Sequence, residues 1–315
     1  MTEPLWTDER PRPAGAGPVR VRVPAKINLH LGVGPLRMDG YHELATIYQA
    51  IGLYDEVTAR PADTLAMTME GEGAGQLALD SSNLVIKAVN TLAVATGRAP
   101  YARIHLRKQI PLAAGLGGGS ADAAATLVAC DALWGTGLHR EDLASIAAGI
   151  GSDVPFLVLG GTALGTGRGE TVSPVLAPGH AWHWVVALAD GGLSTPEVYR
   201  ELDRMRTTGL APASIDSPDE ILVALRQKDP GVLAKALGND LEAAAVSLRP
   251  SLRRTLDAGV AAGALAGLVS GSGPTCVFLC RDAVHAEEVA DNLDAAEVCR
   301  SVVIVLGPVP GARLV

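Results

Sequence analysis

The run Gly115-Leu116-Gly117-Gly118-Gly119-Ser120 carries the clearest chemistry in this sequence. Glycines leave backbone N–H groups unshielded, and the residues that follow, Ala121, Ala123, Ala124 and Ala125, are strong helix formers. A helix that starts there has first-turn amides without partners and the positive end of its dipole. Such a start is an anion site, and a Cβ would obstruct a phosphate resting on the backbone. A plain tight turn is the alternative, but a predicted strand before the run and a helix after it favour phosphate. Ser120 reads as a phosphate or Mg²⁺ ligand or as a helix N-cap, roles that do not exclude each other.

Other residue types stand where an ordinary core would not put them. Lys26 lies between Ala25 and Ile27 in an apolar stretch, so it is either a snorkelling edge lysine or a cation serving a site. Asn28, two residues on, shares its strand face and could hydrogen-bond a substrate. Asp153 precedes Val154-Pro155 and reads as a helix or turn cap or as a catalytic base. A free Asp, with a pKa of about 3.9, is too weak to ionise an alcohol in advance. It suffices where phosphoryl transfer is loose and the hydroxyl proton leaves late. Tyr41 and His42 follow the turn Arg37-Met38-Asp39-Gly40 in a chain with only 3% aromatic residues; by themselves they read as surface packing.

The elements that must position these groups follow from periodicity. Alternation predicts strands over 19–33, 44–53, 57–60 and 101–110. Helical spacing predicts helices over 83–95, with Ser81 or Ser82 as N-cap, then 119–134 and 140–150. The apolar run 154–164 reads as strand, 182–189 as strand and 196–206 as helix. Residues 218–260 read as largely helical, with strands at 265–270, 275–280 and 302–306 and a helix over 283–293. Strands and helices are mixed rather than strictly alternating, which predicts an α+β fold and not a doubly wound parallel sheet. A Gly-, Thr- and Pro-rich stretch at 165–178 marks a domain boundary.

Composition sets the outer limits. The chain has 315 residues, 48% hydrophobic and 19% charged, enough apolar surface for a core split between two lobes. Its 26 basic and 34 acidic residues leave a net charge of -8, which offers a polyanion no global field and argues against nucleic-acid binding. Cys130, Cys276, Cys280 and Cys299 show no metal spacing or disulfide framework and fit a reducing cytosol. The stretch 258–269 is too short and weakly apolar to span a bilayer, and residues 1–17 lack the apolar segment of a signal peptide.

Elimination narrows the phosphate site. No Gly-Lys dipeptide occurs, so there is no Walker A motif. Ser120 stands where the third glycine of G-x-G-x-x-G belongs. There is no Asp-Phe-Gly, no G-x-S-x-G elbow, and His42-Glu43 lacks the second histidine of a zinc pair.

The run 111–124, PLAAGLGGGSADAA, resembles the second motif of the GHMP kinase superfamily; Pro24-Ala25-Lys26-Ile27-Asn28-Leu29 resembles the first and Val269-Ser270-Gly271-Ser272-Gly273-Pro274-Thr275 the third. Lys26-Ile27-Asn28, Asp39-Gly40-Tyr41-His42, the run 151–156 (GSDVPF) and Thr195-Pro196-Glu197-Val198-Tyr199 are similar to the branch that phosphorylates a cytidine diphosphate-linked methylerythritol in non-mevalonate isoprenoid synthesis. The resemblance implies a two-lobed α+β GHMP-kinase fold with its active site in the cleft between lobes. It implies an ATP-binding domain over 1–164, rejoined by a strand within 300–315, and a substrate-binding domain over 165–299.

ATP and Mg²⁺ are the implied co-substrate and metal, and a cytosolic monomer or weak homodimer the implied state. Asp153 becomes the base and Lys26 the cation beside it and the γ-phosphate. Pro111, Leu112, Ala113, Ala114, Gly115, Leu116, Gly117, Gly118, Gly119, Ser120 and Ala121 become the ATP loop, with Asn83 and Lys108 near the adenine. Asn28, Tyr41, His42, Thr195, Tyr199, Gly271 and Gly273 become substrate-binding residues, Tyr41 and Tyr199 stacking on cytosine. The family position matched by Tyr199 is often Phe, which also stacks. No second carboxylate stands out as a metal ligand; Asp122, one turn into the helix, is the candidate that remains. A mevalonate- or homoserine-type kinase and a non-catalytic nucleotide-binding regulator are the alternatives.

Overall fold

A computed structural model describes residues 17–315 except 177, 178, 212, 213, 215 and 216; the signal-peptide reading of the N-terminus lies outside them. The chain opens on two long antiparallel strands, β1 (Val19–Leu36) and β2 (His42–Arg60), joined through the turn that the sequence predicts. Their register shifts between Pro24 and Ala25, between Asn28 and His30, and between Val33 and Leu36. Such irregularities bend a strand and re-aim its side chains, and two of them bracket Lys26 and Asn28.

β3 (Ala66–Gly71), α1 (Leu84–Thr96), β4 (Arg103–Lys108), α2 (Gly118–Trp134), α3 (Arg140–Ala148) and α4 (Val154–Leu159) follow. Next come β5 (Thr162–Thr166), β6 (Thr171–Pro174), β7 (Trp182–Leu188), α5 (Thr195–Thr207), α6 (Asp219–Gln227), α7 (Pro230–Ala236) and β8 (Gly238–Asn239). α8 (Glu242–Leu248), α9 (Ser251–Ala261), β9 (Ala266–Val269), β10 (Cys276–Cys280), α10 (Ala283–Ala295), β11 (Ser301–Gly307) and β12 (Arg313–Leu314) complete the chain.

The first sheet runs β12-β1-β2-β4-β3, with β5 on the other half of β2, β6 on β5, and β8 parallel to β1. The second is the antiparallel order β11-β7-β10-β9. α2 packs on β1, β2, α1 and α4, and its residues from Ala121 to Cys130 are all buried. A helix covered on every side must be apolar or small all round, which is why alanine dominates it.

Four expectations change. Residues 154–159 form α4, not a strand: a fully apolar run carries no periodicity to separate the two, and Pro155 sits in the first helical turn where it is tolerated. The N-cap of α1 is Asn83, whose side chain accepts from Val85 N, rather than Ser81 or Ser82. The expected boundary at 164/165 falls inside β5, and the β5–β6 hairpin stays in the first sheet. Of the C-terminal stretch, β11 belongs to the second sheet and only β12 returns to β1.

Buried polar contacts join the lobes. Gln49 Oε1 accepts from Trp184 Nε1 at 2.9 Å while its Nε2 donates to Thr162 Oγ1 at 3.2 Å. Arg206 on α5 reaches Asp240 at 3.0 Å and the carbonyl of Val33 at 2.7 Å. No helix among the described residues is long and apolar enough to cross a membrane.

Candidate active site

A cavity of about 780 Å³ opens where the start of α2, the middle of β1 and β2, and the N-terminal turns of α4 and α5 meet. One of its walls is the glycine run. Gly117 is the N-cap of α2, in left-handed conformation (φ 71°), and no side chain caps the helix. The first-turn amides are therefore offered to the cavity. Ala113, Ala114, Gly115, Gly117, Gly118, Gly119 and Ser120 line it. Pro111, Leu112, Leu116 and Ala121 do not; Leu116 and Ala121 are fully buried behind the loop.

Close packing explains the glycines. A Cβ on Gly115 would lie 2.1 Å from the carbonyl oxygen of Ser270, and one on Gly117 would lie 2.9 Å from Lys26 Cγ. The third motif holds the loop: Ser270 Oγ donates to Gly115 O at 3.1 Å and Thr275 N to Ala114 O at 3.4 Å, while Leu193 N, ahead of α5, donates to Ala113 O at 3.3 Å. Gly271 (φ 56°) lines the cavity against Lys26 Nζ. Gly273 stands behind it, donating its N–H to Ser270 O at 2.9 Å. Asn239, which carried no signal in the sequence, secures that turn by donating to Val269 O and Gly271 O.

Opposite the helix start stand the predicted acid and amine. Lys26 Nζ lies 3.6 Å from Asp153 Oδ2, and the backbone N–H of Lys26 donates to Leu116 O at 3.0 Å, tying β1 to the loop. Asp153 occupies the N-cap position of α4, yet its side chain makes no capping bond. Its Oδ1 accepts from Tyr48 Oη at 3.0 Å instead. Lys26 also donates to Asn28 Oδ1 at 2.8 Å, and Asn28 Nδ2 donates to Thr46 Oγ1 at 2.8 Å. Thr46 gives its only proton to His30 O at 2.7 Å, so its oxygen can only accept from Asn28. That fixes the Asn28 amide with its oxygen toward the lysine.

The remaining wall is aromatic. His42 stacks on Tyr199 with centroids 5.1 Å apart, and its Nε2 lies 2.9 Å from Asp203 Oδ1. A carboxylate accepts, so in the neutral ring Nε2 carries the proton and Nδ1 is left as an acceptor. Tyr41 is half exposed, with the Arg168 guanidinium 4.9 Å from its ring centroid. Thr195 Oγ1 lies 2.8 Å from Ser272 Oγ. Burial, and then the charge of Asp153, raises the Tyr199 phenol above its ordinary range.

Lys108 and Asn83, expected near the adenine, do not line the cavity. Lys108 is buried beneath Gly118 and donates to Asp55 at 2.6 Å and Asp122 at 2.8 Å. Burial alone would lower its ammonium, but Asp122 and Asp55 hold it above its ordinary value. Burial pushes the Asp122 carboxyl well up, against the pull of Lys108. Asp55 also accepts from the N–H groups of Gln109 and Ile110, bracing the strand end before the glycines. Asn83 spends its side chain on Val85 N and on Ala78 O at 2.7 Å.

No three His, Cys, Asp or Glu side chains cluster as a metal cage among the described residues, and Asp122 faces Lys108 rather than the cavity. Beside the glycine run the wall carries Ser120, whose hydroxyl is a hard oxygen donor of the kind that Mg²⁺ takes.

A model described as the GHMP kinases N terminal domain matches residues 83–161, and one described as GHMP kinases C terminal matches residues 221–298. A 4-diphosphocytidyl-2-C-methyl-D-erythritol kinase of Salinispora tropica is 69% identical over 315 residues, the whole of both chains. Its namesake from Rhodococcus jostii is 57% identical over 298 residues, 95% of each chain. The crystal structure of a 4-(cytidine 5'-diphospho)-2C-methyl-D-erythritol kinase is similar with a TM-score of 0.74 at 32% identity, covering 92% of this chain and 99% of that one.

Proposed function

The chain belongs to the 4-diphosphocytidyl-2-C-methyl-D-erythritol kinase family of GHMP kinases, and we propose that it transfers the γ-phosphoryl group of ATP to the 2-hydroxyl of that cytidine diphosphate-linked alcohol, in non-mevalonate isoprenoid synthesis. The observation that carries the mechanism is the Lys26–Asp153 pair, 3.6 Å apart, facing a helix start that no side chain caps.

The terminal phosphates rest on the amides of Gly117, Gly118, Gly119 and Ser120, where dipole and N–H donors both favour negative charge. Asp153 orients the substrate hydroxyl and takes its proton as the new O–P bond forms and the bond to the ADP oxygen breaks. Lys26 faces the charge spread over the transferring group. Asn28, fixed by Thr46, holds the lysine in place. Ser120 would hold Mg²⁺, which would supply neutralisation of the polyphosphate charge.

Tyr41 and Tyr199 give the cytosine its stacking faces, and the Nδ1 acceptor of His42 suits the exocyclic amino group of that base. Thr195 and the Gly271–Gly273 turn close the substrate side. Four cysteines without disulfides fit the cytosol as its compartment, and the enzyme works as a monomer or weak homodimer.

ADP release with a panel of alcohols tests the reading. Turnover of the cytidine diphosphate compound is expected, with mevalonate and homoserine inert; turnover of mevalonate alone contradicts it. Asp153→Ala is expected to lower kcat by about 10²–10⁴-fold with nucleotide affinity retained, measured by titration; near-normal turnover removes Asp153 from the reaction.

A further inference from the structure

Asp153 touches a phenol that the sequence did not single out. Tyr48 donates from Oη to Asp153 Oδ1 at 3.0 Å, while Oδ2 faces Lys26 at 3.6 Å. We propose that Tyr48 is the positioning residue of the catalytic carboxylate: it clamps one oxygen so that the other stays turned toward the lysine and the reacting hydroxyl. The inference rests on the role given to Asp153 above and extends it to a residue on β2.

The clamp is built rather than incidental. Tyr48 is 2% exposed, and its ring stacks on Phe156, three residues beyond Asp153, with centroids 4.9 Å apart. The glycines of the β5–β6 hairpin leave it a slot. A Cβ on Gly165 would lie 2.5 Å from Tyr48 Cε2, and one on Gly169 would lie 2.3 Å from Tyr48 Oη. A ring stacked on Phe156 and hemmed in at its Cε2 edge and its hydroxyl has little room to swing, and the hydroxyl meets Asp153. Burial, then the Asp153 charge, raises the phenol well above its ordinary range, so it stays protonated and can only donate to a carboxylate.

Orientation matters here because, among the described residues, Asp153 has no other side-chain hydrogen bond. It makes no capping bond to α4, and the Lys26 contact is longer than a hydrogen bond. Without Tyr48 the carboxylate is free to rotate about its last bond, and the fraction of time in the productive geometry falls. The effect belongs to the transition state rather than to substrate binding, so it loads on kcat.

The test compares Tyr48→Phe, Asp153→Asn and the double variant with the unaltered enzyme, using ADP release with the cytidine diphosphate substrate and thermal unfolding. Tyr48→Phe keeps the stacked ring. It is expected to lower kcat about tenfold, to leave both KM values within about twofold, and to have no further effect in the Asp153→Asn background. Equal losses in the two backgrounds, or a raised KM with kcat unchanged, overturn the proposal, as does a Tyr48→Phe enzyme with normal kcat. Loss of kcat that tracks a lowered unfolding temperature assigns Tyr48 to packing and overturns it too. An inactive unaltered enzyme removes the kinase reading and this inference with it, whereas an active one whose Asp153→Asn variant is impaired leaves that reading standing on its own.

Discussion

At the residue scale, function rests on a few side chains placed against their ordinary preferences. A lysine 5% exposed within a core strand costs free energy unless it is paired. Lys26 is compensated by Asn28 and by Asp153, at 2.8 and 3.6 Å. The sequence exposed Lys26 and Asp153 as anomalies because charge interrupts apolar patterning. It could not expose Tyr48, since an aromatic on a half-buried strand reads as core and its hydroxyl partner is 105 positions away. Lys108, which the family resemblance puts near the adenine, is paired with two carboxylates far apart in sequence, Asp55 and Asp122, and no spacing in the sequence announces that group. The aromatic wall yields a direct prediction. Tyr41→Ala is expected to raise KM for the cytidine substrate by about ten- to a hundredfold, the worth of one base stack, and to leave KM for ATP unchanged. Equal losses for both ligands in steady-state kinetics would count against stacking on Tyr41.

At the element scale, each piece of secondary structure contributes one edge of the site. α2 gives its uncapped start, β1 its register-shifted centre with Lys26 and Asn28, α4 the carboxylate ahead of its first turn, and α5 Thr195 and Tyr199. β2 gives Thr46 and Tyr48, two residues apart and so on one face. One orients Asn28 and the other meets Asp153. Thr46→Val keeps the shape but leaves Asn28 Nδ2 and His30 O without their partner. A cost of about 1–3 kcal/mol is expected, shared between stability and kcat, and unfolding plus turnover measurements divide it. A variant unchanged in both would show that the Asn28 orientation is immaterial. β1 and α1 were legible because periodicity marks them, and α2 because its alanines are strong helix formers; β2 was read in two pieces, 44–53 and 57–60, of one strand. α4 was not legible, because an unbroken apolar run serves a buried helix and a buried strand equally well. β8 and β12, each two residues long, offer no pattern to read.

At the scale of the whole molecule, two sheets meet at a cleft and share a core in which Trp184 and Val186 of β7 join Ile47 and Ile51 of β2, and the three motifs come together from 24–29, 111–124 and 269–275 because the third closes over the second. The α+β mixture predicted this architecture in outline. The exact division of the chain was hidden because β11 and β12, six residues apart, part to different sheets. The buried Asp55–Lys108–Asp122 group underlies the phosphate loop as a structural brace. Lys108→Met strands two buried carboxylates and is expected to destabilise the fold by about 3–5 kcal/mol, read as a lowered denaturation midpoint; unchanged stability would deny the brace.

The central claim is that terminal phosphates sit on the bare start of α2 with the acceptor hydroxyl between them and Asp153. A crystal structure of the complex with a non-hydrolysable ATP analogue and the cytidine diphosphate alcohol measures this directly. The account predicts γ-phosphate oxygens within hydrogen-bonding distance of the Gly117–Ser120 amides, and the 2-hydroxyl bonded to an Asp153 oxygen in line with the γ-phosphorus. Phosphates bound elsewhere, or a hydroxyl turned away from Asp153, would contradict it.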